Sequence, residues 1–307
     1  MNSFKTYEMV TDTICKMLEN GFIPWQRPWS NNRTNTAWSR LTNKPYSFIN
    51  HLLLANPEKK YKNFEEVLSD VSGEWLTFNQ IKKLGGSVKK GEKARPVIFF
   101  KWIEKETEKT DKDGNIIIDK IPCLQSYYVF KTTQCENIET KYNIDDGKTY
   151  DFIEDKTAEE VAQDYLTREN IKLKNDNLNK AFYNTVKDYI NIPRKEQFKN
   201  SEEYYSTLFH EITHSTGNEK RLNRLKDEVL SDSEENYSLE ELTAEIGSAS
   251  ILATLKIDSS KTIKNSTAYI QSWLKVLKKD KKMIVFASAR AEKAIKYIFN
   301  IKDEVAA

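Results

Sequence analysis

The hydrophobic pattern of the first half of the chain predicts one long helix followed by short, aromatic-rich strands. Apolar side chains near the start recur at helical spacing, which predicts a helix from about Thr6 to Asn20 that ends at Gly21. The positions that give this spacing are Met9, Ile14, Met17 and Leu18. The stretch EWLTFNQIKKLGG at 74–86 predicts a strand and then a short helix closed by two glycines.

Two further stretches of the first half predict strands. ARPVIFFKW at 94–102 and CLQSYYVFKT at 123–132 are rich in the β-branched and aromatic residues that favour strands. The charged stretch between them predicts a loop or hairpin that turns at Asp113-Gly114. From about Cys135 to Thr157 the sequence is polar and irregular, and this change predicts a domain boundary.

The second half has mainly helical periodicity. A helix is predicted from about Ala158 to Glu169, and KAFYNTVKDYINIP at 180–193 predicts two short strands around a turn. Further helices are predicted at about 201–215, 239–256, 266–279 and 286–299. We therefore expect an α+β protein: an α+β nucleic-acid-binding domain over residues 1–135, a linker over 136–157, and a mainly helical domain with a short β-sheet over 158–307.

Composition fits a globular chain with two domains that have different partners. Of the 307 residues, 38% are hydrophobic and 31% are charged, and no apolar run is long enough to span a membrane. The three cysteines are too few and too scattered for a disulfide framework. The N-terminal sequence does not have the layout of a secretory signal peptide, so we expect a cytoplasmic protein. Residues 1–105 hold 17 Lys and Arg against 10 Asp and Glu, which leaves 31 against 36 for the remainder.

One stretch of the second half, EEYYSTLFHEITHSTG at 202–217, carries two of the three histidines of the chain. Its apolar residues predict a helix with one face on the core. His210 and His214 then project from one face, close enough to share an ion. Glu211 lies about 100° around the helix, where it reaches a water on that ion. This HExxH arrangement indicates one Zn²⁺ per chain, with Glu211 as the general base.

A third zinc ligand is expected in the stretch NYSLEELTAEIGSASILATL at 236–255, because a catalytic zinc site has three protein ligands and one open position. Ser238 is expected to cap this helix. In one assignment Glu241 binds the ion and Glu245 hydrogen-bonds a ligand histidine. In the other, Glu241 completes a capping box with Ser238 and Glu245 is the ligand. We favour Glu241. The small residues at 247–250 allow this helix to approach another closely.

The first half combines aromatic and basic residues in a pattern typical of proteins that bind single-stranded nucleic acid. Aromatic faces stack on unpaired bases, and basic side chains contact phosphates. Residues 82–101 alone hold seven positive charges and one negative charge. The candidate DNA-binding residues are Trp25, Arg27, Trp29, Trp75, Lys82, Lys83, Lys89, Lys90, Lys93 and Arg95. The alternative is that most of the aromatic residues belong to the core and that the lysines are only solvated.

Motifs along nearly the whole chain resemble those of the ArdC-type antirestriction proteins of conjugative plasmids and related mobile elements. They include ENGFIPWQRPW and WLTFNQIKKLGGSVKKGEKARPVIFFKW in the first half, and EEYYSTLFHEITHSTG, RLNR and EELTAEIGSASIL in the second. The resemblance implies an N-terminal domain that binds single-stranded DNA and a C-terminal zincin-like metallopeptidase domain. It also implies protection of incoming plasmid DNA from host restriction.

Expectations about the protein partner follow from this resemblance. In a zincin the strand before the HExxH helix lies along the cleft, so KDYINIP at 187–193 is expected to pair with an extended peptide. Tyr237 is either an oxyanion donor or a buried structural tyrosine. The partner would be a protein substrate or a component of the host restriction system. Two alternatives stay open: a DNA-coating protein whose metal domain is structural or docks a protein, and a general protease that merely carries a basic domain.

Overall fold

The structure is a computed structural model, and it confirms the α+β class, with helices and sheets in both halves of the chain. It describes residues 3–21, 23–25, 36–56, 58–61, 64–110, 116–141, 157–175, 180–225, 234–257 and 267–301. Most of the expected linker, residues 142–156, lies outside the described residues. Within the described part of the chain, every helix is too short or too polar to traverse a bilayer.

The first half is built on a five-stranded sheet with strand order β2-β1-β3-β6-β5 and a separate two-stranded ribbon of β4 and β7. Its elements are α1 (Ser3–Glu19), β1 (Ala37–Ser39), β2 (Lys44–Pro45), α2 (Phe48–Leu54), α3 (Phe64–Val71), β3 (Gly73–Thr77), α4 (Phe78–Lys83), β4 (Ser87–Val88), β5 (Arg95–Thr110), β6 (Ile116–Lys131) and β7 (Cys135–Glu136). β5 and β6 pair antiparallel as the predicted hairpin, while the expected turn at Asp113-Gly114 lies outside the described residues.

The second half places a three-stranded sheet, with order β8-β10-β9, beside a group of helices. Its elements are α5 (Ala158–Arg168), β8 (Lys172–Lys174), β9 (Phe182–Asn184), β10 (Tyr189–Asn191), α6 (Ser201–Ser215), α7 (Glu234–Thr254), α8 (Thr267–Lys279) and α9 (Met283–Ile298). The predicted N-cap at Ser238 is wrong, because α7 begins a turn earlier, at Glu234, and Ser238 lies inside the helix.

Local signals in the sequence explain several element ends. The Thr77 hydroxyl accepts a hydrogen bond from the backbone of Gln80, whose side chain in turn accepts from the Thr77 backbone, so α4 starts with a capping box. After α4, Gly85 adopts a positive φ of 77°, a conformation that favours glycine. α6 starts directly after Asn200, whose side chain accepts a hydrogen bond from the Glu203 backbone at 2.8 Å and so caps the helix.

One hydrophobic core joins the two halves of the chain. It contains buried side chains of α1 and the front sheet, such as Leu18 and Val97, together with Leu277 of α8 and Ile284 of α9. Polar contacts reinforce the seam, since Lys278 and Lys281 of the second half pair with carboxylates of α1 at 2.7 Å each. A second core lies wholly within the second half, between the small sheet and α5, α6, α7 and α9.

Candidate functional site

The candidate metal centre is built by α6 and α7. Leu208, Phe209 and Ile212 of α6 are buried in the second core, which leaves His210 and His214 on the opposite side, partly exposed. α7 lies against α6 at very short range. A Cβ atom added at Gly247 would be 2.6 Å from Cγ2 of Thr213, so only glycine allows this approach.

The approach of α7 brings Glu241 opposite the two histidines. Nε2 of His210 and Nε2 of His214 are 3.1 Å apart, and the two oxygens of Glu241 lie 3.5 Å from one ring nitrogen each. A tetrahedral zinc site with bonds of about 2.0–2.2 Å has its ligand atoms about 3.4 Å apart. The two imidazoles and the carboxylate therefore fit a divalent ion. Among the described residues, they are the only cluster of three such side chains close enough to hold one.

Glu240, a residue that the sequence reasoning missed, lies behind His214. Its Oε1 is 3.0 Å from Nδ1 of His214, so this carboxylate fixes the ring with Nε2 turned to the candidate metal position. Glu240 in turn accepts two hydrogen bonds from Arg224, at 2.8 and 2.7 Å. Burial raises the pKa of Glu240, but the charge on Arg224 and the contact with His214 together outweigh it and lower this pKa to about 2.

The partner that was expected for a ligand histidine, Glu245, is therefore not the one that contacts His214. Glu245 lies one turn further along α7 and is not part of the three-residue cluster. Burial raises its pKa, against the opposing charge on His210. The signal for Glu240 was present in the sequence as a second glutamate beside Glu241. Spacing along α7 does not show that Glu240 lies next to His214, because that contact depends on how α7 packs against α6 and on Arg224.

Electrostatics at the cluster favour a bound cation. Burial lowers the pKa of His210, but Glu241 and the nearby carboxylates outweigh it and raise this pKa to about 8. Burial raises the pKa of Glu211, and the two histidines oppose the change. Without an ion, His210 therefore carries a positive charge near neutral pH that balances the surrounding carboxylates.

Glu211 is buried between the histidines and the small sheet. Only 7% of it is exposed, and the backbone of Tyr183, in β9, hydrogen-bonds its carboxylate. β9 is an outer strand of the sheet, whereas β10 is the central strand. The expectation that KDYINIP would pair with a peptide is therefore wrong, because both edges of β10 are already hydrogen-bonded, to β8 and to β9.

A partly buried polar network holds β9 in place. The hydroxyl of Tyr183 donates to Asp188 at 2.7 Å and accepts from Arg221 at 2.9 Å and from Asn218 at 2.8 Å. The guanidinium of Arg221 also binds both carboxylate oxygens of Asp188. The residues that follow α6 are therefore tied to the strand that contacts Glu211. Tyr237 lies in the first turns of α7, but its side chain is not among those that the structure describes, so its role stays a prediction.

The aromatic residues that were expected to stack on DNA are mostly buried. Trp25 and Trp75 are 0% and 1% exposed, so neither offers a ring face, because both fill the core that joins the two halves. Arg95 is also engaged: both of its terminal nitrogens bind Asp70, at 2.7 and 2.8 Å, and its guanidinium lies over the ring of Trp75. Arg27 and Trp29 lie outside the described residues.

The predicted lysines and a different set of aromatic residues do reach the surface. The candidate lysines are all exposed: Lys82, Lys83, Lys89, Lys90 and Lys93. Large aromatic side chains with about half of their surface exposed are Phe4, Phe78, Phe99, Tyr127 and Tyr128. Strand periodicity does not tell which face of the sheet is covered, so it could not single out Phe99, Tyr127 and Tyr128 as exposed.

Family comparisons agree with this two-part architecture. Residues 4–130 match the N-terminal domain of the anti-restriction factor ArdC. Residues 160–290 match a zincin-like metallopeptidase family. The second half therefore defines this chain as a protein with a zincin-like metallopeptidase domain.

Solved structures extend the similarity over the whole chain. The metal-free antirestriction protein ArdC from the R388 plasmid is 31% identical, with 96% of this chain and 98% of that chain covered and a TM-score of 0.64. The Mn(II)-bound form of that protein gives 28% identity, 97% and 99% coverage, and a TM-score of 0.66. The chain belongs to the ArdC family of antirestriction proteins.

Curated relatives include much longer proteins. A DNA primase TraC of Escherichia coli is 30% identical over 299 residues, which is 94% of this chain and 26% of the relative. A second TraC is 29% identical over 95% of this chain and 20% of its own length. The uncharacterized protein y4eC of Sinorhizobium fredii (strain NBRC 101917 / NGR234) is 26% identical, with 93% and 89% covered. The chain thus spans about a quarter or less of the length of the TraC relatives.

Proposed function

We propose that this protein is an antirestriction protein of a mobile element that binds single-stranded DNA and hydrolyses peptide bonds with one Zn²⁺ per chain. The observation that carries the peptidase part is the spacing of the three donor atoms of His210, His214 and Glu241, with Glu211 beside them. The similarity to the R388 protein supports the antirestriction role. Two imidazoles and one carboxylate are a donor set that zinc takes in hydrolytic enzymes.

The chain's own residues supply the proton transfers and the positioning. A divalent ion at this site would supply a Lewis acid that polarises a peptide carbonyl and lowers the pKa of a bound water. The carboxylate of Glu211 accepts a proton from the attacking water and then delivers that proton to the leaving amide nitrogen. Glu240 holds the ring of His214, and Arg224 holds Glu240 in its ionised form.

An extended segment of the protein substrate would pair with β9. This strand is at an edge of the small sheet, and its Tyr183 contacts Glu211 through the backbone. An edge strand offers unpaired backbone groups that an extended peptide can use. The contacts of Tyr183 with Arg221 and Asp188 keep that edge rigid.

The DNA-binding part of the proposal is supported by charge and exposure in the first half. Exposed lysines can follow a phosphate backbone, and exposed aromatic rings can stack on unpaired bases. We expect such binding to be nearly independent of sequence, because flexible lysines do not read base edges.

The peptidase proposal is tested by loading the full chain with zinc and measuring its cleavage of casein that carries a self-quenched fluorophore. We expect Glu211→Gln to retain one metal per chain by elemental analysis and to lose cleavage by at least about 100-fold. Glu202→Gln, on the same helix but away from the cluster, is the matched control and should keep both properties. Equal cleavage by wild type and Glu211→Gln would overturn the mechanism.

A restriction assay in cells distinguishes the peptidase proposal from the alternative of a DNA-coating protein. If peptidase activity is required, Glu211→Gln abolishes protection of incoming DNA. If coating suffices, Glu211→Gln protects as well as wild type, and charge reversal at Lys89 and Lys90 abolishes protection. A general protease with an incidental basic domain would keep its protection after the lysine reversal.

A further inference from the structure

A groove of about 760 Å³ opens where the front sheet meets the last helix of the second half. Its size is that of a pocket for a small molecule, roughly 300–1,000 Å³. Its lining includes Leu41 of the β1–β2 turn, Lys44 of β2, residues of α2 and of the start of α4, Phe99 of β5, Tyr127 of β6, and α9. The lining residues of α9 are Val285, Ser288, Ala289 and Glu292.

The strands contribute two exposed aromatic rings on one face. Phe99 is 51% exposed and Tyr127 is 46% exposed. Val97 pairs with Tyr127 in the register of β5 and β6, and Phe99 pairs with Gln125, so the two aromatic residues are diagonal neighbours on the same face. Their rings can therefore be reached together by a flat ligand.

A buried hydroxyl in the groove lining also lacks a partner. Ser288 of α9 is 3% exposed, and its Oγ makes no hydrogen bond within the described residues. Buried polar groups are normally paired, so an unpaired one at a groove points to a ligand with polar edges. Asn50, another lining residue, is already occupied: its amide exchanges two hydrogen bonds with the backbone of Ile98.

Basic residues lie in the groove and on a helix that borders it: Lys44 is in the lining, together with the acidic Glu292. Thr77 and Gln80 line the groove, and α4, which they begin, carries the exposed Lys82 and Lys83 in its last turn. A ligand with flat rings, polar ring edges and a negative backbone is an unpaired stretch of nucleic acid.

We propose that this groove receives unpaired bases of single-stranded DNA, so that α9 of the second half forms part of the DNA site. The inference rests on the proposed single-strand binding. The DNA site is then shared by both halves, and residues 1–135 alone would lack the lining contributed by α9.

The test compares Tyr127→Ala with Tyr128→Ala in the full chain. The two tyrosines are neighbours on β6 with 46% and 48% exposure, but Tyr128 points to the opposite face and does not line the groove. We expect Tyr127→Ala to weaken the binding of oligothymidylate about 10-fold, and Tyr128→Ala by less than about 2-fold, in fluorescence anisotropy at fixed salt. Equal losses would overturn the groove assignment.

An abasic oligonucleotide of the same length distinguishes contacts to bases from contacts to phosphates. Wild type and Tyr127→Ala should bind it equally, because the stacking partner is missing. If Tyr127→Ala weakens both probes equally, the residue does not contact a base and the inference fails. If wild type binds neither probe, even at low salt, the proposed single-strand binding fails. If wild type binds oligothymidylate and Tyr127→Ala binds it equally well, only the groove assignment fails.

A separate substitution tests whether α9 contributes to the DNA site. Glu292→Gln removes a negative charge from the groove, and we expect it to strengthen binding of oligothymidylate about 2-fold by reduced repulsion. Glu196→Gln, an exposed glutamate of the second half outside the groove, should leave binding unchanged. Unchanged affinity in Glu292→Gln, or the same gain in both variants, would remove α9 from the DNA site.

Discussion

The candidate metal centre and the exposed surface of the front sheet differ in how well the type of a residue indicates where its side chain lies. At the metal centre the chemistry of one ion fixes the distances between side chains, and helical spacing encodes part of that geometry in the sequence. On the front sheet, stacking requires only that a ring be exposed, and exposure depends on what packs against each face. Trp75 and Tyr127 are both aromatic, yet one is 1% exposed and the other 46%. A metal-binding site is thus easier to recognise from the sequence than an interaction surface is.

The largest expected effect concerns the aromatic residue that was misassigned. Trp75→Ala empties a core position and should lower the free energy of unfolding by about 3–5 kcal/mol. Tyr127→Ala, the exposed counterpart, should cost less than about 1 kcal/mol. Urea denaturation measures both. A stable Trp75→Ala variant that had lost only DNA binding would break the comparison, since it would restore Trp75 as a binding residue.

The third histidine extends this comparison. His51 is the same type of residue as the two histidines of the candidate metal centre, but it is buried and its ring contacts the backbone. Its Nε2 accepts from the Ala37 backbone at 3.0 Å, and Nδ1 lies 3.1 Å from the Ser47 carbonyl, to which it donates. Burial lowers the pKa of His51 from 6.5 to about 4, against hydrogen bonds to the backbone of Ser47 and Tyr46 that raise it.

This shift predicts that stability falls in acid. Between pH 6.5 and about 4 the unfolded chain takes up a proton that folded His51 excludes, so stability decreases as the pH falls through this window. The whole loss is on the order of 3 kcal/mol. His51→Gln should flatten this part of the stability profile relative to wild type. Parallel profiles for the two proteins would show that His51 does not titrate there.

The sequence predicted the α6 motif because each of its signals is local. Asn200 caps the helix, and the spacing of His210 and His214 follows from the helical repeat. It could not predict Glu240, whose role depends on Arg224 reaching back to it across the loop after α6. Nor could it predict the helices and strands of residues 37–71, whose short elements are held by packing and not by local periodicity.

At the metal centre, three glutamates of α7 should differ in effect. Glu241→Gln removes a candidate ligand and should weaken zinc retention most. Glu240→Gln leaves the donor atoms in place but loosens His214, so we expect about 10–100-fold weaker zinc binding. Glu245→Gln should have the smallest effect, because Glu245 lies outside the cluster. Competition with a chelator measures all three. A larger loss in Glu245→Gln than in Glu241→Gln would reverse the assignment.

The smallest expected effect concerns the surface lysines. Replacing Lys90 and Lys93 by alanine should reduce the slope of log affinity against log salt, by about 0.7 for each phosphate of a single strand that the protein no longer neutralises. Lys172→Ala, an exposed lysine of the second half, is the control and should keep the wild-type slope. An unchanged slope in the double variant would show that the charge of this segment does not contact DNA.

The core that joins α1 and the front sheet to α8 and α9 has a consequence for how the chain is inherited. Two domains linked only by a tether can be exchanged separately, but here each half would expose a buried apolar face if it were transferred alone. The similarity to the longer TraC relatives runs across both halves, over 299 residues. Recombination would therefore be expected to move the two halves of the chain together, as a single unit.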